Sequence, residues 1–250
     1  MEPYELAILC ASFFAVAMLY TTVGHAGASG YLAMMSLAGL APATMRPTAL
    51  LLNVLVAALT VYRFRKARYF SWPGLWPFLL GSMPLAAVGG ALSLSRGGYY
   101  AAVGVVLLLS ALYLVWRALG SRTAMEEGVV RVKRLPAVFI GALIGLIAGL
   151  TGTGGGIFLS PTLLMLGWAA PKTTAGIAAP FIFLNSTVAL VAGSLTAQSL
   201  PQELPLLAAA ALAGAFVGTW LGLARLNQKG LLMTLAIVMS LAGMKLLVTA

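Results

Sequence analysis

Gly149-Leu150-Thr151-Gly152-Thr153-Gly154-Gly155-Gly156 breaks a long apolar run in the middle of a 250-residue chain. Leu135–Leu150 lies behind it and Ile157–Gly167 ahead of it, both apolar. Glycine supplies the positive-φ conformations that an interrupted helix needs, and it lets a ligand approach the backbone. The apolar piece after the break is only about 15 Å long at 1.5 Å per residue, half a membrane. Irregular backbone at membrane depth is tolerated where it is buried in protein or lines a polar cavity. Where the helix resumes at Ile157, free N–H groups and the positive end of its dipole offer an anion site that needs no charged side chain. A packing kink or hinge is the plainer alternative.

The same pattern occurs once more, near the N-terminus. Gly24-His25-Ala26-Gly27-Ala28-Ser29-Gly30 leads into the short apolar piece Tyr31–Leu40, then Pro42 and Asn53, as the later glycines lead to Gly167, Pro171 and Asn185. Gly24 to Gly39 and Gly152 to Gly167 span equal intervals, with Gly27 and Gly155 in register. An internal duplication accounts for this: residues 1–119 form a first repeat, 120–134 a polar cytoplasmic linker, and 135–250 a second repeat.

Outward from the breaks, the chain is 61% apolar and 8% charged, against about 25% charged in soluble domains. Eight apolar stretches can be read: Tyr4–Val23, Pro47–Tyr62, Trp72–Leu94, Tyr99–Trp116, Leu135–Leu150, Ala175–Leu195, Leu204–Leu223 and Leu231–Val248. Most approach the length that crosses about 30 Å of hydrocarbon. The fold class is an all-α polytopic membrane protein, with the lipid bilayer as its principal partner. Gly141, Gly145 and Gly149, and again Gly214, Gly218 and Gly222, form small-residue stripes suited to close helix packing.

Charge placement sets the topology. If each broken segment crosses once, the Lys and Arg residues divide ten inside to five outside. If each is a hairpin that enters and leaves on one side, only Arg46, Arg96 and Lys245 remain outside. The second arrangement obeys the positive-inside rule better. It gives each repeat about three full crossings plus one re-entrant or discontinuous segment, and it inverts one repeat relative to the other, a recurrent transporter design. The net charge of +10 is then loop charge that orients the chain, and no nucleic-acid partner is implied. The acidic start Met1-Glu2-Pro3-Tyr4-Glu5 is unlike the basic beginning of a cleaved signal peptide.

The inventory removes several chemistries. There is no Asp, and Glu2, Glu126, Glu127 and Glu203 lie outside the apolar runs while Glu5 stands at the very start of the first. Carboxylate relays and carboxylate ion sites at membrane depth are therefore excluded. One His and one Cys build no metal cluster, and no cofactor is expected.

The remaining candidates are few. Thr151, Thr153 and Ser29 carry hydroxyl donors suited to anion oxygens or to backbone carbonyls. Asn53 and Asn185 are each a substrate ligand or an interhelical tie. Arg46 and Lys172, beside the exits of the short helices, attract an anion or anchor helix ends. His25 is the one side chain through which proton coupling could run, and a structural role is the alternative. Gly27-Ala28-Ser29-Gly30 matches the Gly-x-Ser-Gly of intramembrane serine proteases, with His25 as base. That motif is four residues long, and the later break has neither Ser nor His.

Gly149–Gly156 with Pro161, Gly167, Pro171-Lys172 and Asn185-Ser186 resembles the second-half signature of the sulfite exporter TauE/SafE family. Gly24–Leu32 with Met45-Arg46-Pro47-Thr48-Ala49-Leu50 and Asn53 is similar to a first-half motif of that family. The resemblance covers essentially the whole chain. It implies a secondary transporter in the cytoplasmic membrane, moving sulfite, sulfoacetate, another organosulfonate or thiosulfate by alternating access, with an anion channel as the nearest alternative. Protons as coupling ion and a homodimeric state stay open. The site carried over is the two glycine-rich breaks; with the polar candidates above, the expected substrate-binding residues are Gly24, His25, Gly27, Ser29, Arg46, Asn53, Thr151, Gly152, Thr153, Gly154, Gly155, Gly156 and Asn185. The first half departs from the commoner pattern, since Ala33 stands where the second half has Pro161.

Overall fold

A computed structural model describes residues 3–119, 126, 128–194, 200–223 and 229–250, with the side chains of 229–232, 234, 235 and 238 left undescribed. Residues 120–125 and 127 of the linker expected at 120–134, Arg122 and Glu127 among them, lie outside the described residues, as does Arg225. The described chain is helical: α1 Pro3–Thr21, α2 Ala28–Leu37, α3 Pro42–Lys66, α4 Trp72–Ala91, α5 Arg96–Ala118, α6 Arg134–Thr151, α7 Gly156–Met165, α8 Pro171–Gly193, α9 Leu204–Leu223 and α10 Lys229–Thr249. Seven of these (α1, α3, α4, α5, α6, α8 and α9) are long and apolar enough to cross a membrane. The protein is a multi-pass membrane protein.

Local chemistry explains the boundaries. Pro42 and Pro171 open α3 and α8 at the first helical position, where a missing N–H costs nothing. Ser71 and Ser95 accept from Gly74 N–H and Gly98 N–H to cap α4 and α5. The apolar stretch read from Pro47 lies within α3, which itself begins at Pro42 and so carries Arg46 in its first turns.

Two glycine seams set the packing. On α6, a β-carbon at Gly141, Gly145 or Gly149 would lie 2.2–2.4 Å from the carbonyl oxygens of Phe78, Ser82 and Ala86 of α4. On α9, the same atom at Gly214, Gly218 or Gly222 would lie 2.0–2.4 Å from the carbonyls of Phe14 and Met18 of α1 and of Thr22 just beyond it. Both stripes are therefore sites of backbone-to-backbone approach. Across α6 from its glycines, Leu135, Phe139 and Leu143 form an exposed apolar row, as a lipid-facing surface requires.

α5 packs on α10, α3 on α8, α4 on α6 and α9 on α1. One apolar core joins α1, α2, α3, α5, α9 and α10 and takes in Ile157 of α7 and Ile182 of α8; a second joins α4, α6, α7 and α8. Among the described residues the β pairing is a single antiparallel bridge, Val130 with Ala169, which sets the start of α6 beside the end of α7. Correspondingly, Glu5, Ile8 and Leu9 at the start of α1 share a surface groove with Met34, Leu37 and Ala38 at the end of α2.

Candidate functional site

The breaks lie where the glycines lie. Gly24 and Gly27 adopt φ of 82° and 104°, and Gly152, Gly154 and Gly155 adopt 83°, 72° and 80°. Gly27 and Gly155 are the left-handed N-caps of α2 and α7, and neither helix start is capped by its N-cap side chain. A side chain at Gly24 is doubly disfavoured, because its β-carbon would also lie 2.3 Å from that of Ala175.

Asn53 joins the two breaks. Its Oδ1 accepts from Ala28 N–H, the first residue of α2, at 3.2 Å. Its Nδ2 donates to the Thr153 carbonyl at 3.3 Å and to Ser186 Oγ on α8 at 3.2 Å. The side chain is fully buried, with its carbonyl oxygen spent on the first break and its amide nitrogen on the second half. Asn185 behaves differently. Its Nδ2 donates to Phe181 O on its own helix at 2.9 Å, and its buried Oδ1 has no partner.

The expected equivalence of the two asparagines does not hold. Asn53 stands eleven residues after Pro42, whereas Asn185 stands fourteen after Pro171. The residue eleven after Pro171 is Ile182, which packs against Gly154 and Gly156. Asn185 is therefore almost one turn further along its helix.

His25 makes the second cross-link. Its Nε2 shares a 2.7 Å hydrogen bond with Ser160 Oγ on α7, and its Nδ1 has no partner. The rings of Tyr20 and Tyr113 flank it at 6.1 and 5.9 Å. Ser29 Oγ instead lies 2.7 Å from the Tyr20 hydroxyl, which also reaches Met239 Sδ at 2.9 Å. The Ser29–His25 dyad of the protease alternative is not formed, because each partner is bonded elsewhere.

On the second break, Thr151 Oγ1 donates to Ile147 O at 2.7 Å. Its single proton being used, it accepts from Thr153 Oγ1 at 3.0 Å. The Thr151 carbonyl accepts from Tyr99 O–H at 3.2 Å. Arg46 packs its stem against Gly152 and aims its guanidinium away, at the carbonyls of Leu92, Gly89 and Gly90 at 2.6–2.8 Å. It closes the C-terminus of α4, where a cation complements the dipole. Lys172 reaches Leu223 O at the end of α9 at 3.4 Å, and Lys245 reaches Ser36 O at the end of α2 at 2.7 Å. Arg46, Lys172 and Lys245 are thus helix-end partners.

The structure brings Gly27, Asn53, Thr153, Gly154 and Gly156 into one neighbourhood with His25, and holds Ser29 and Arg46 on separate partners. Sequence reading missed Ser160, Tyr20, Tyr99 and Tyr113. Ser160 had a signal, as a polar residue in the first turns of a half-helix otherwise apolar up to Thr162. The carboxylates Glu5, Glu126 and Glu203 all lie at helix ends or in the linker. The chemistry offered at the crossing is hydroxyl, amide, imidazole and backbone groups, without a carboxylate among the described residues there.

A family model for the sulfite exporter TauE/SafE matches residues 9–246. The chain is 36% identical over 240 residues to a protein of Sinorhizobium fredii (strain NBRC 101917 / NGR234) named "Probable membrane transporter protein y4hK", covering 96% of this chain and 97% of the relative. No solved structure matches significantly. The relative is named a transporter and not a hydrolase, in agreement with the absent Ser29–His25 dyad. The two glycine-broken helices tied through Asn53, together with these matches, place the chain in the sulfite exporter TauE/SafE family of membrane transporters.

Proposed function

We propose that the protein is a secondary carrier of a small sulfur-containing anion (sulfite, sulfoacetate, another organosulfonate or thiosulfate), working by alternating access. The observation that carries this reading is the Asn53 bridge, which sets the start of α2 and the Thr153–Gly156 break around one buried point. An anion there is bound by N–H groups of the resuming helices and by Thr153. The site residues are Gly27, Thr153, Gly154, Gly155 and Gly156 at the backbone, with Gly24, His25, Ser29, Arg46, Thr151, Gly152 and Asn185 shaping or supporting it.

The two breaks are hairpins of inverted repeats, 1–119 and 135–250. Supporting this, helix pairs map onto one another when the halves are exchanged: α4 on α6 with α9 on α1, while α3–α8 and α5–α10 map onto themselves. The start of α1 lies beside the end of α2, and the start of α6 beside the end of α7, as hairpins require. Rocking one repeat against the other exposes the crossing to each side in turn. Protons enter through His25 or as part of a protonated cargo.

Thermal stabilisation of the purified protein tests the cargo class, because a ligand that binds the folded state alone raises the melting temperature with its concentration. Sulfite, sulfoacetate and thiosulfate should stabilise at fixed ionic strength, sulfate, phosphate and chloride should not, and Thr153→Val should weaken the effect. Equal stabilisation by all six anions would refute a sulfur-anion site.

A further inference from the structure

In the proposed inverted repeats, α10 corresponds to α5 and α2 to α7. Each of the two long helices carries a basic residue near its end, Lys245 and Arg117. Lys245 is spent on the end of α2, donating to Ser36 O and Leu37 O at 2.7 and 3.3 Å. Arg117 has neither a helix-end carbonyl nor a carboxylate as partner among the described residues. It is half-buried, and its guanidinium lies near the Tyr113 hydroxyl, within electrostatic reach of His25. That placement follows from the helix, because residues four apart share a face and long side chains lean toward the N-terminus. The other arginines of the described helices are engaged. Arg46 holds α4 carbonyls, and Arg63, Arg65, Arg96 and Arg134 lie over aromatic rings.

Tyr113 is 6% exposed, and its hydroxyl has no hydrogen-bond partner although Ser160 also lies near it. Its ring stands 5.9 Å from that of His25, whose buried Nδ1 is likewise unpartnered. His25 in turn lies against Gly156, the first residue of α7. Leaving a buried hydroxyl unanswered is costly, and an arginine that only anchored a helix end would run out to the headgroups. We propose that Arg117 and Tyr113 form an inner docking site for the anionic cargo, one ring away from the second break. The proposal rests on the anion-carrier reading and adds to it a station on the cytoplasmic side, where α5 ends in the hairpin topology. An oxyanion there accepts from the guanidinium and from the Tyr113 O–H, and the charge-assisted bond is the stronger of the two. From this station it passes His25 to the N–H groups that begin α7.

Trp116 packs beside Tyr113, with ring centroids 5.9 Å apart, and so reports on the site. The experiment titrates the full-length protein in a neutral detergent with sulfite and with sulfoacetate, against chloride at the same ionic strength. Two readouts are taken together, tryptophan fluorescence and thermal stabilisation. The fluorescence should change saturably, and Trp116→Phe should remove that change while keeping the stabilisation. Arg117→Gln should raise the midpoint about tenfold to a hundredfold, and Tyr113→Phe about two- to tenfold. Arg117→Lys, which keeps the charge and loses the fork, should fall between wild type and Arg117→Gln, and it carries the test if Arg117→Gln does not fold. Stabilisation of wild type that is unchanged in Arg117→Gln, Arg117→Lys and Tyr113→Phe overturns the docking site and leaves the anion carrier standing. Weakened binding in these variants with no Trp116 signal in wild type also overturns it, since Arg117 would then act through α7 and not on the anion. If neither anion stabilises wild type, the carrier reading fails and the docking site with it.

Discussion

Replacing Asn53 and Asn185 by alanine, one at a time, separates a tie between the halves from a residue that merely occupies a helix. Asn53→Ala removes three hydrogen bonds. The Ala28 N–H is left buried without an acceptor, at about 1–3 kcal/mol. The bonds to Thr153 O and Ser186 Oγ are worth about 0.6 kcal/mol each in a membrane protein. The loss totals about 2–4 kcal/mol. Asn185→Ala removes one bond to a carbonyl of its own helix and also deletes an unpartnered buried oxygen. Those effects oppose one another, so the change should lie within about 1 kcal/mol of zero. The assay is reversible unfolding from neutral-detergent micelles with a rising mole fraction of ionic detergent, read by tryptophan fluorescence. A cost at Asn185 equal to that at Asn53, or no cost at Asn53, would refute the assignment.

Four further outcomes follow from the same contacts. Gly218→Ala should destabilise by about 1–3 kcal/mol, because its β-carbon would lie 2.0 Å from Met18 O; wild-type stability in the same unfolding assay would contradict the seam. Arg46→Met should destabilise by about 1–3 kcal/mol through the lost α4 carbonyl bonds, with Arg46→Lys recovering part of it. An Arg46→Met protein of unchanged stability but weakened cargo binding would instead make Arg46 a ligand. If His25 carries the proton, His25→Gln abolishes uptake driven by a pH gradient and spares counterflow exchange, whereas unchanged gradient-driven uptake moves the coupling to the cargo. Ser29→Ala removes the Tyr20 contact and should reduce flux only partly; complete loss of flux at wild-type stability would put Ser29 in direct contact with cargo.

The glycine breaks were legible because their chemistry is local: a positive φ in a membrane helix calls for glycine, and Gly27 and Gly155 show it at matching positions. The seams were legible for a similar reason, since a four-residue spacing of glycine fixes a face whatever lies opposite. What lies opposite was not legible. The Asn53–Ser186, His25–Ser160 and Tyr99–Thr151 contacts join residues 133, 135 and 52 apart in sequence, and only the relative rotation of packed helices decides them. Arg46 was legible as a helix-end anchor or an anion attractor, and only the packing of α3 against the end of α4 shows which helix end it holds. The different spacings of Asn53 from Pro42 and of Asn185 from Pro171 already set the two asparagines at different helical positions.

Counterflow in proteoliposomes tests the central claim most directly. Vesicles loaded with concentrated unlabelled sulfite or sulfonate are diluted into a trace of labelled anion, with no gradient of pH or potential. A carrier with one alternating site should accumulate label transiently, saturate with external anion, and lose the overshoot when the internal anion is omitted. Label that merely equilibrates at a rate linear in concentration and indifferent to internal anion would contradict alternating access and establish a channel.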